Sequence, residues 1–86
     1  MTDKYTVYIT KTVQKQLAKF PNTVADRLER KMLALEDDPR PSGAVKLTGR
    51  DAYRIRVGDY RFIYDIQDTI LTVDILKVAH RKDIYK

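Results

Sequence analysis

A chain of 86 residues can bury one modest hydrophobic core and no second one, so it reads as a single domain over residues 1–86. Its 43% hydrophobic and 34% charged content excludes a disordered chain, and 17 Lys and Arg against 12 Asp and Glu give a net charge of +5 that calls for an acidic partner. The absence of cysteine excludes disulfides, thiol nucleophiles and most zinc sites; one imidazole, His80, without acidic residues at ligand spacing leaves no metal or other cofactor expected.

No apolar run approaches the ~20 residues of a membrane span. Met1-Thr2-Asp3-Lys4-Tyr5 lacks the apolar centre of a signal peptide, so a cytoplasmic protein with no membrane partner is the expectation. Lys4 to Thr10 alternates, with Tyr5, Val7 and Ile9 on one side and Thr6 and Tyr8 on the other, which predicts a half-buried strand. Thr10 is placed to cap a helix over Lys11 to Lys19, whose stripe is Val13, Leu17 and Phe20, backed by Lys11, Lys15 and Lys19.

Pro21 and Asn22 interrupt it. A second helix is predicted from near Pro21–Thr23 to about Asp37, burying Val24, Ala25, Leu28, Met32 and Leu35. Its other face, Asp26, Arg27, Glu29, Arg30 and Lys31, mixes both signs as a solvated surface does, with Asp26 and Arg30 spaced for a weak pair. Asp38-Pro39-Arg40-Pro41-Ser42-Gly43 then forms a loop, and Gly49 marks a turn before the next strand.

From Ala52 to Tyr64 two alternating runs flank Gly58-Asp59, the signal for a two-residue type II′ hairpin. That turn pairs Val57 with Tyr60, Ile55 with Phe62 and Tyr53 with Tyr64, making one face wholly apolar or aromatic. The other face carries Arg54, Arg56, Arg61 and Ile63, with Arg56 directly across from Arg61. Like charges so placed cost about 0.2–1 kcal/mol. Three guanidiniums on a rigid sheet suit phosphate, which accepts bidentate hydrogen bonds from Arg; a merely solvated strand face is the plainer alternative.

A turn at Asp68-Thr69 and a strand over Ile70–Ala79 follow, setting Ile75 opposite Phe62, Val73 opposite Tyr64 and Leu71 opposite Ile66. Leu76 and Val78 then join Ile63 on the arginine side, either as an exposed apolar strip for a partner or as a surface packed beneath the C-terminal tail. Tyr5, Tyr53, Tyr60 and Tyr64 are assigned to the core, and Tyr8 alone is left for base stacking. The fold class is α+β: an N-terminal strand, a two-helix hairpin, then an antiparallel meander of about three strands, one sheet with the helices on one face.

This element order, with Tyr53-Arg54-Ile55-Arg56-Val57-Gly58-Asp59-Tyr60-Arg61 in the middle and Val78-Ala79-His80-Arg81-Lys82-Asp83-Ile84-Tyr85 at the end, resembles the RelE branch of the RelE/ParE toxin superfamily. The match covers essentially the whole chain and includes Leu47-Thr48-Gly49 in its expected place. The resemblance implies a type II toxin that enters the ribosomal A site and cuts mRNA there. It also implies inhibition by a RelB-type antitoxin, through which the complex binds operator DNA. By position it carries functional roles onto Arg54, Arg56, Arg61, Arg81 and Tyr85. Some members have lysines at the places of Arg54 and Arg56, and an arginine does not give up its proton. If lysine is the base there, Tyr85 and His80 are the candidates here.

Without a metal, the cleavage implied is attack of a ribose 2′-OH on its own 3′-phosphate. Arg61 and Arg56 suit the charge on the phosphorane oxygens, Arg54 and Lys82 the phosphate backbone, and Arg81 the leaving oxygen or the phosphate. A phenol ordinarily ionises near pH 10, so Tyr85 as base calls for cationic neighbours; an imidazole, at about 6.5, suits acid–base work without them. The rival functions are a ParE-like DNA gyrase inhibitor and a non-catalytic module that binds antitoxin or nucleic acid. The retained Arg61, Arg81 and Tyr85 favour the ribonuclease.

Overall fold

The computed structural model describes residues 4–49 and 51–85. In chain order the elements are β1 (Thr6–Ile9), α1 (Lys11–Leu17), α2 (Asn22–Leu33) continued by a 3₁₀ turn (Ala34–Glu36), β2 (Val45–Lys46), β3 (Ala52–Val57), β4 (Tyr60–Gln67) and β5 (Thr72–His80). They form one five-stranded sheet in the order β1-β5-β4-β3-β2, with both helices on one face. The expected α+β class is present. The meander of three strands is β3-β4-β5; β2 adds an edge to it, and β1 joins the other edge parallel to β5.

Thr10 caps α1 as expected. Its Oγ1 accepts the Val13 N–H at 3.4 Å and donates to the Ile75 carbonyl at 2.9 Å, so the cap also ties the helix to β5. The helix tightens after Leu17, where Lys19 and Phe20 bond back three residues, and Pro21 opens α2 by offering its carbonyl to Val24 and Ala25. Leu28, Met32 and Leu35 then meet Val13 and Leu17 over Ile55, Phe62, Tyr64, Val73 and Ile75, all essentially removed from water. Each such side chain contributes roughly 1.5–3 kcal/mol of transfer free energy. Asp26 and Arg30 do not pair.

The hairpin register is as the sequence predicts, Arg56 opposite Arg61 included. Gly58 has φ +60° and Asp59 a negative φ, as a type II′ turn requires.

The last strand departs from expectation. The connection is Asp68 to Leu71 rather than two residues, with Leu71 in the left-handed region at φ +54°. Tyr64 therefore faces Ile75 and Ile66 faces Val73. A bulge between these pairs and Ile63–Lys77 leaves Leu76 without a partner on β4, and beyond it Phe62 faces Val78. One extra residue reverses which face each later side chain joins. Val78 enters the core at 1% exposure, Leu76 stays exposed, and Ile63 is buried beneath Ile84 of the tail. The exposed strip of Ile63, Leu76 and Val78 is thus not formed: Ile63 packs under the tail, Val78 joins the helix-side core, and Leu76 alone stays exposed.

Candidate functional site

The helix-free face of the sheet is built in rows by the strand register. Arg56, Arg61 and Ala79 make one row; Arg54, Ile63 and Lys77 the next; Ala52, Asp65, Asp74 and Tyr8 a third. Ala52, Ile63 and Ile84 form a small second core there, with Leu47 and Ala79 against it. Small side chains at Ala52 and Ala79 let the tail come close. A turn at the end of β5 directs the tail back over the sheet: Asp83 donates its N–H to the His80 carbonyl, and Arg81 donates its own to the Asp59 carbonyl, each at 2.8 Å.

Tyr85 comes to rest on Arg54, 62% exposed, its phenol oxygen accepting from Arg54 Nη1 at 2.5 Å. Arg56 does not lie flat beside the other two. Its Nε donates to the Gly58 carbonyl at 3.2 Å, so its guanidinium curls along the sheet edge. Arg61, across the sheet from Arg56, is half-buried and forms no ion pair or side-chain hydrogen bond among the described residues. Arg56 and Arg61 form a non-hydrogen-bonded pair, whose Cα atoms lie only about 4.5 Å apart, the closer of the two antiparallel spacings. Arg81 is exposed, its Nε 4.0 Å from Asp59 Oδ1.

His80 is half-buried with the ring of Tyr60 at 5.5 Å. The Lys82 N–H donates to its Nδ1 at 3.3 Å, which assigns the ring proton to Nε2. Lys82 itself is exposed. The structure thus brings together Arg54 and Tyr85, and Arg56 and Arg61, with Arg81 joined to the hairpin turn.

Two residues on this face escaped the sequence. Lys77 is carried onto it by the bulge, and the adjacent apolar pair Ile75-Leu76, which breaks strict alternation, was the available signal. Ile84, a lone apolar residue in a basic tail, is the tail's anchor.

The far end of the face is acidic. Asp65 and Asp74 are cross-strand partners, and burial, reinforced by the Asp74 charge, raises the Asp65 pKa. Asp65 Oδ1 is buried without a hydrogen-bond partner among the described residues. No three His, Asp or Glu of the described residues cluster as metal ligands would.

Opposite the site, Arg40 holds Asp68 through two bonds of 2.8 and 3.2 Å and stacks over Tyr53 at 5.6 Å while donating to its hydroxyl at 3.1 Å. Tyr5 donates to the same Asp68 at 2.6 Å, and the Arg40 bonds, with Tyr5's, hold that carboxyl below its usual range. Tyr64 is buried with its hydroxyl on the Pro39 carbonyl at 2.8 Å, and burial pushes its pKa up to about 12. Tyr53, Tyr60 and Tyr64 are therefore structural, as expected, while Tyr8 stands 53% exposed beside Asp74.

No helix of the described residues is long and apolar enough to cross a membrane. The family profile for the ParE toxin of type II toxin–antitoxin systems, parDE, matches residues 7–85. The toxin RelG of Mycobacterium tuberculosis is 36% identical over 84 residues, covering 95% of this chain and 97% of that protein. Among solved structures, the toxin–antitoxin complex RelBE2 of M. tuberculosis superposes with a TM-score of 0.80 at 31% identity, over 91% of this chain and 99% of that one. An archaeal RelE–RelB complex from Pyrococcus horikoshii gives 0.78 at 33% identity, over 93% and 98%. An alanine double mutant of the E. coli toxin RelE in the free state gives 0.78 at 25%, over 95% and 90%.

Proposed function

Since the chain belongs to the ParE toxin family of type II toxin–antitoxin systems, and within the RelE/ParE superfamily is a toxin of the RelE type, we propose that it is a ribosome-dependent mRNA endoribonuclease. The observation that carries this is Arg61: a half-buried guanidinium, unpaired among the described residues, on a rigid strand with Arg56 opposed to it. A fold that holds two like charges together without a carboxylate between them is prepared for an anion, and the phosphorane formed in RNA cleavage is one.

In the reaction the ribose 2′-oxygen bonds to phosphorus and the phosphorus–5′-oxygen bond breaks, leaving a cyclic phosphate. Arg61 and Arg56 donate to the non-bridging oxygens. Arg54 and Lys82 hold the neighbouring backbone, and Arg81 meets the leaving oxygen from the tail side. Tyr85 uses its oxygen to accept from Arg54, which aims the O–H elsewhere; it moves the proton at the 2′-oxygen. His80 packs against Tyr60 on the helix side of the sheet, the face opposite Arg61 and Ala79, so it takes no part at the leaving oxygen, which draws its proton from solvent. No resident metal is needed for these steps.

The relatives solved as RelB–RelE complexes support a RelB-type antitoxin as partner; in this proposal it covers the basic face and carries the complex to operator DNA. The ribosomal A site with its mRNA is the target, in the cytoplasm. Primer extension on a defined mRNA in a purified translation system, with and without ribosomes, tests this reading. Cuts that require ribosomes support it. The ParE description of the matching family favours one other reading, inhibition of DNA gyrase; arrested growth with no cuts would select it.

A further inference from the structure

The hairpin turn at Gly58-Asp59 holds two of the guanidiniums assigned to the reaction. Arg56 Nε donates to the Gly58 carbonyl at 3.2 Å. Arg81 donates its N–H to the Asp59 carbonyl at 2.8 Å, which carries the β4–β5 ladder one step past Tyr60–His80, and its Nε lies 4.0 Å from the Asp59 carboxylate. Arg61, opposite Arg56, has neither an ion pair nor a side-chain hydrogen bond among the described residues. The resting cradle is therefore open at Arg61 and closed at Arg81.

The turn does not need this carboxylate. A type II′ turn asks for glycine at its first central position, which Gly58 fills at φ +60°, and Asn or Ser serves as well as Asp at the second. Among the described residues the Asp59 carboxylate meets no partner but Arg81, so no cap or core contact accounts for it either. What the charge does is neutralise, in place, a guanidinium that the reaction needs.

The geometry sets how firmly. One N–O approach of 4.0 Å, with the two side chains 52% and 65% exposed, is a weak and screened pair. A phosphate takes two charge-assisted bonds from one guanidinium in place of a single long contact, so it displaces the carboxylate once it is delivered to the sheet.

We propose that Asp59 is a built-in competitor for the RNA phosphate at Arg81: it keeps the guanidinium at the turn in the free toxin and gives it up to substrate. The inference rests on the cleavage reading above and adds to it a positioning residue, one that touches no reacting atom and acts through Arg81. Each binding event exchanges one anion for another, so the penalty falls on affinity and not on the chemical step.

Steady-state cleavage of a defined mRNA on programmed ribosomes, with ribosome concentration varied, separates KM from kcat. Asp59→Asn removes the charge and keeps a residue suited to the turn; KM should fall about two- to fivefold, the size of an exposed pair, with kcat unchanged. Asp59→Ser should behave in the same way. The ratio of wild-type to variant KM should approach one as salt is raised. Ribosome co-sedimentation should show the same tightening, and none in an Arg81→Ala background. Asp26→Asn, the same change of charge on α2, should leave KM where it was.

An unchanged KM in either Asp59 variant overturns the proposal. So does a gain that persists without Arg81 or that Asp26→Asn reproduces, since either would make it the long-range field of the whole protein. A lower kcat would also overturn it, with Asp59 presenting Arg81 rather than withholding it. Wild-type toxin that makes no cuts would instead bring down the cleavage reading, an outcome seen before any variant is compared.

Discussion

Arg54 and Tyr85 are 31 residues apart in sequence, and their side chains meet at 2.5 Å. The tail is thus aimed and not merely attached, and the contact orients the phenol over the basic face. Tyr85→Phe removes the acceptor and the transferable proton together. Cleavage should slow by roughly 10²-fold or more, the usual range for a lost proton-transfer group, with ribosome binding retained. Single-turnover cleavage measured beside ribosome co-sedimentation checks this, and an unchanged rate would take Tyr85 out of the chemistry.

Arg61 stands opposite Arg56 at a cost to the fold. Arg61→Ala should abolish most cleavage, by roughly 10²–10³-fold as when a donor to transition-state charge is removed. It should also leave stability unchanged or raise it by a few tenths to about 1 kcal/mol, the size of the cross-strand repulsion relieved. Urea denaturation of the purified variant checks the second part. Marked destabilisation would mean that the guanidinium packs more than it repels.

Ile84 is 1% exposed on Ala52 and Ile63, and it is the buried apolar anchor of the tail that carries Arg81 and Tyr85. Ile84→Ala should cost about 2 kcal/mol, the low end for truncating a buried aliphatic, because the cluster is small. Amide exchange should quicken over residues 81–85 more than in the main core, and kcat should fall with it. Ile84→Val should recover most of both. Uniform loosening of the whole sheet would contradict a local anchor.

The two perturbed carboxylates act on stability with opposite signs. Asp65 has a raised folded pKa, from burial and then Asp74, so the folded chain holds more protons than the unfolded one just above the ordinary carboxylate value. Stability from this group therefore falls as pH rises through that window. Asp68 is lowered, chiefly by Arg40 and then Tyr5, and its contribution is present above the ordinary value and lost as pH falls through the folded one. Urea midpoints across the acid range should show Asp65→Asn more stable than wild type at neutral pH. Asp68→Asn should be less stable there and should lack the acid loss. Equal curves for wild type and Asp65→Asn would place its carboxylate in water.

The hairpin was legible because Gly58-Asp59 and unbroken alternation specify one register between them, and the helix stripes were legible because Leu28, Met32 and Leu35 repeat with the helical period. Local chemistry was enough. What stayed hidden was non-local. The parallel pairing of β1 with β5 and the Arg40–Asp68 clasp join segments that share no pattern. The four-residue connection after β4 rests on Leu71 adopting a left-handed backbone, for which leucine carries no signal. In the candidate site, the arginines could be assigned to a face from their spacing. Whether that face was open or roofed depended on Ile84 reaching Ile63 across the sheet.

Leu76 makes the site unusual in its tolerance of change. The residue is exposed and unpaired, so substitutions there should be nearly silent. Its removal should be tolerated as well: with Leu76 gone, Ile75 and Lys77 become neighbours, Lys77 still faces Ile63, Val78 still faces Phe62, and the strand alternates without a bulge. What the residue supplies is the local bend and twist of β5, so selection at this position would act on the shape of the strand rather than on its letters.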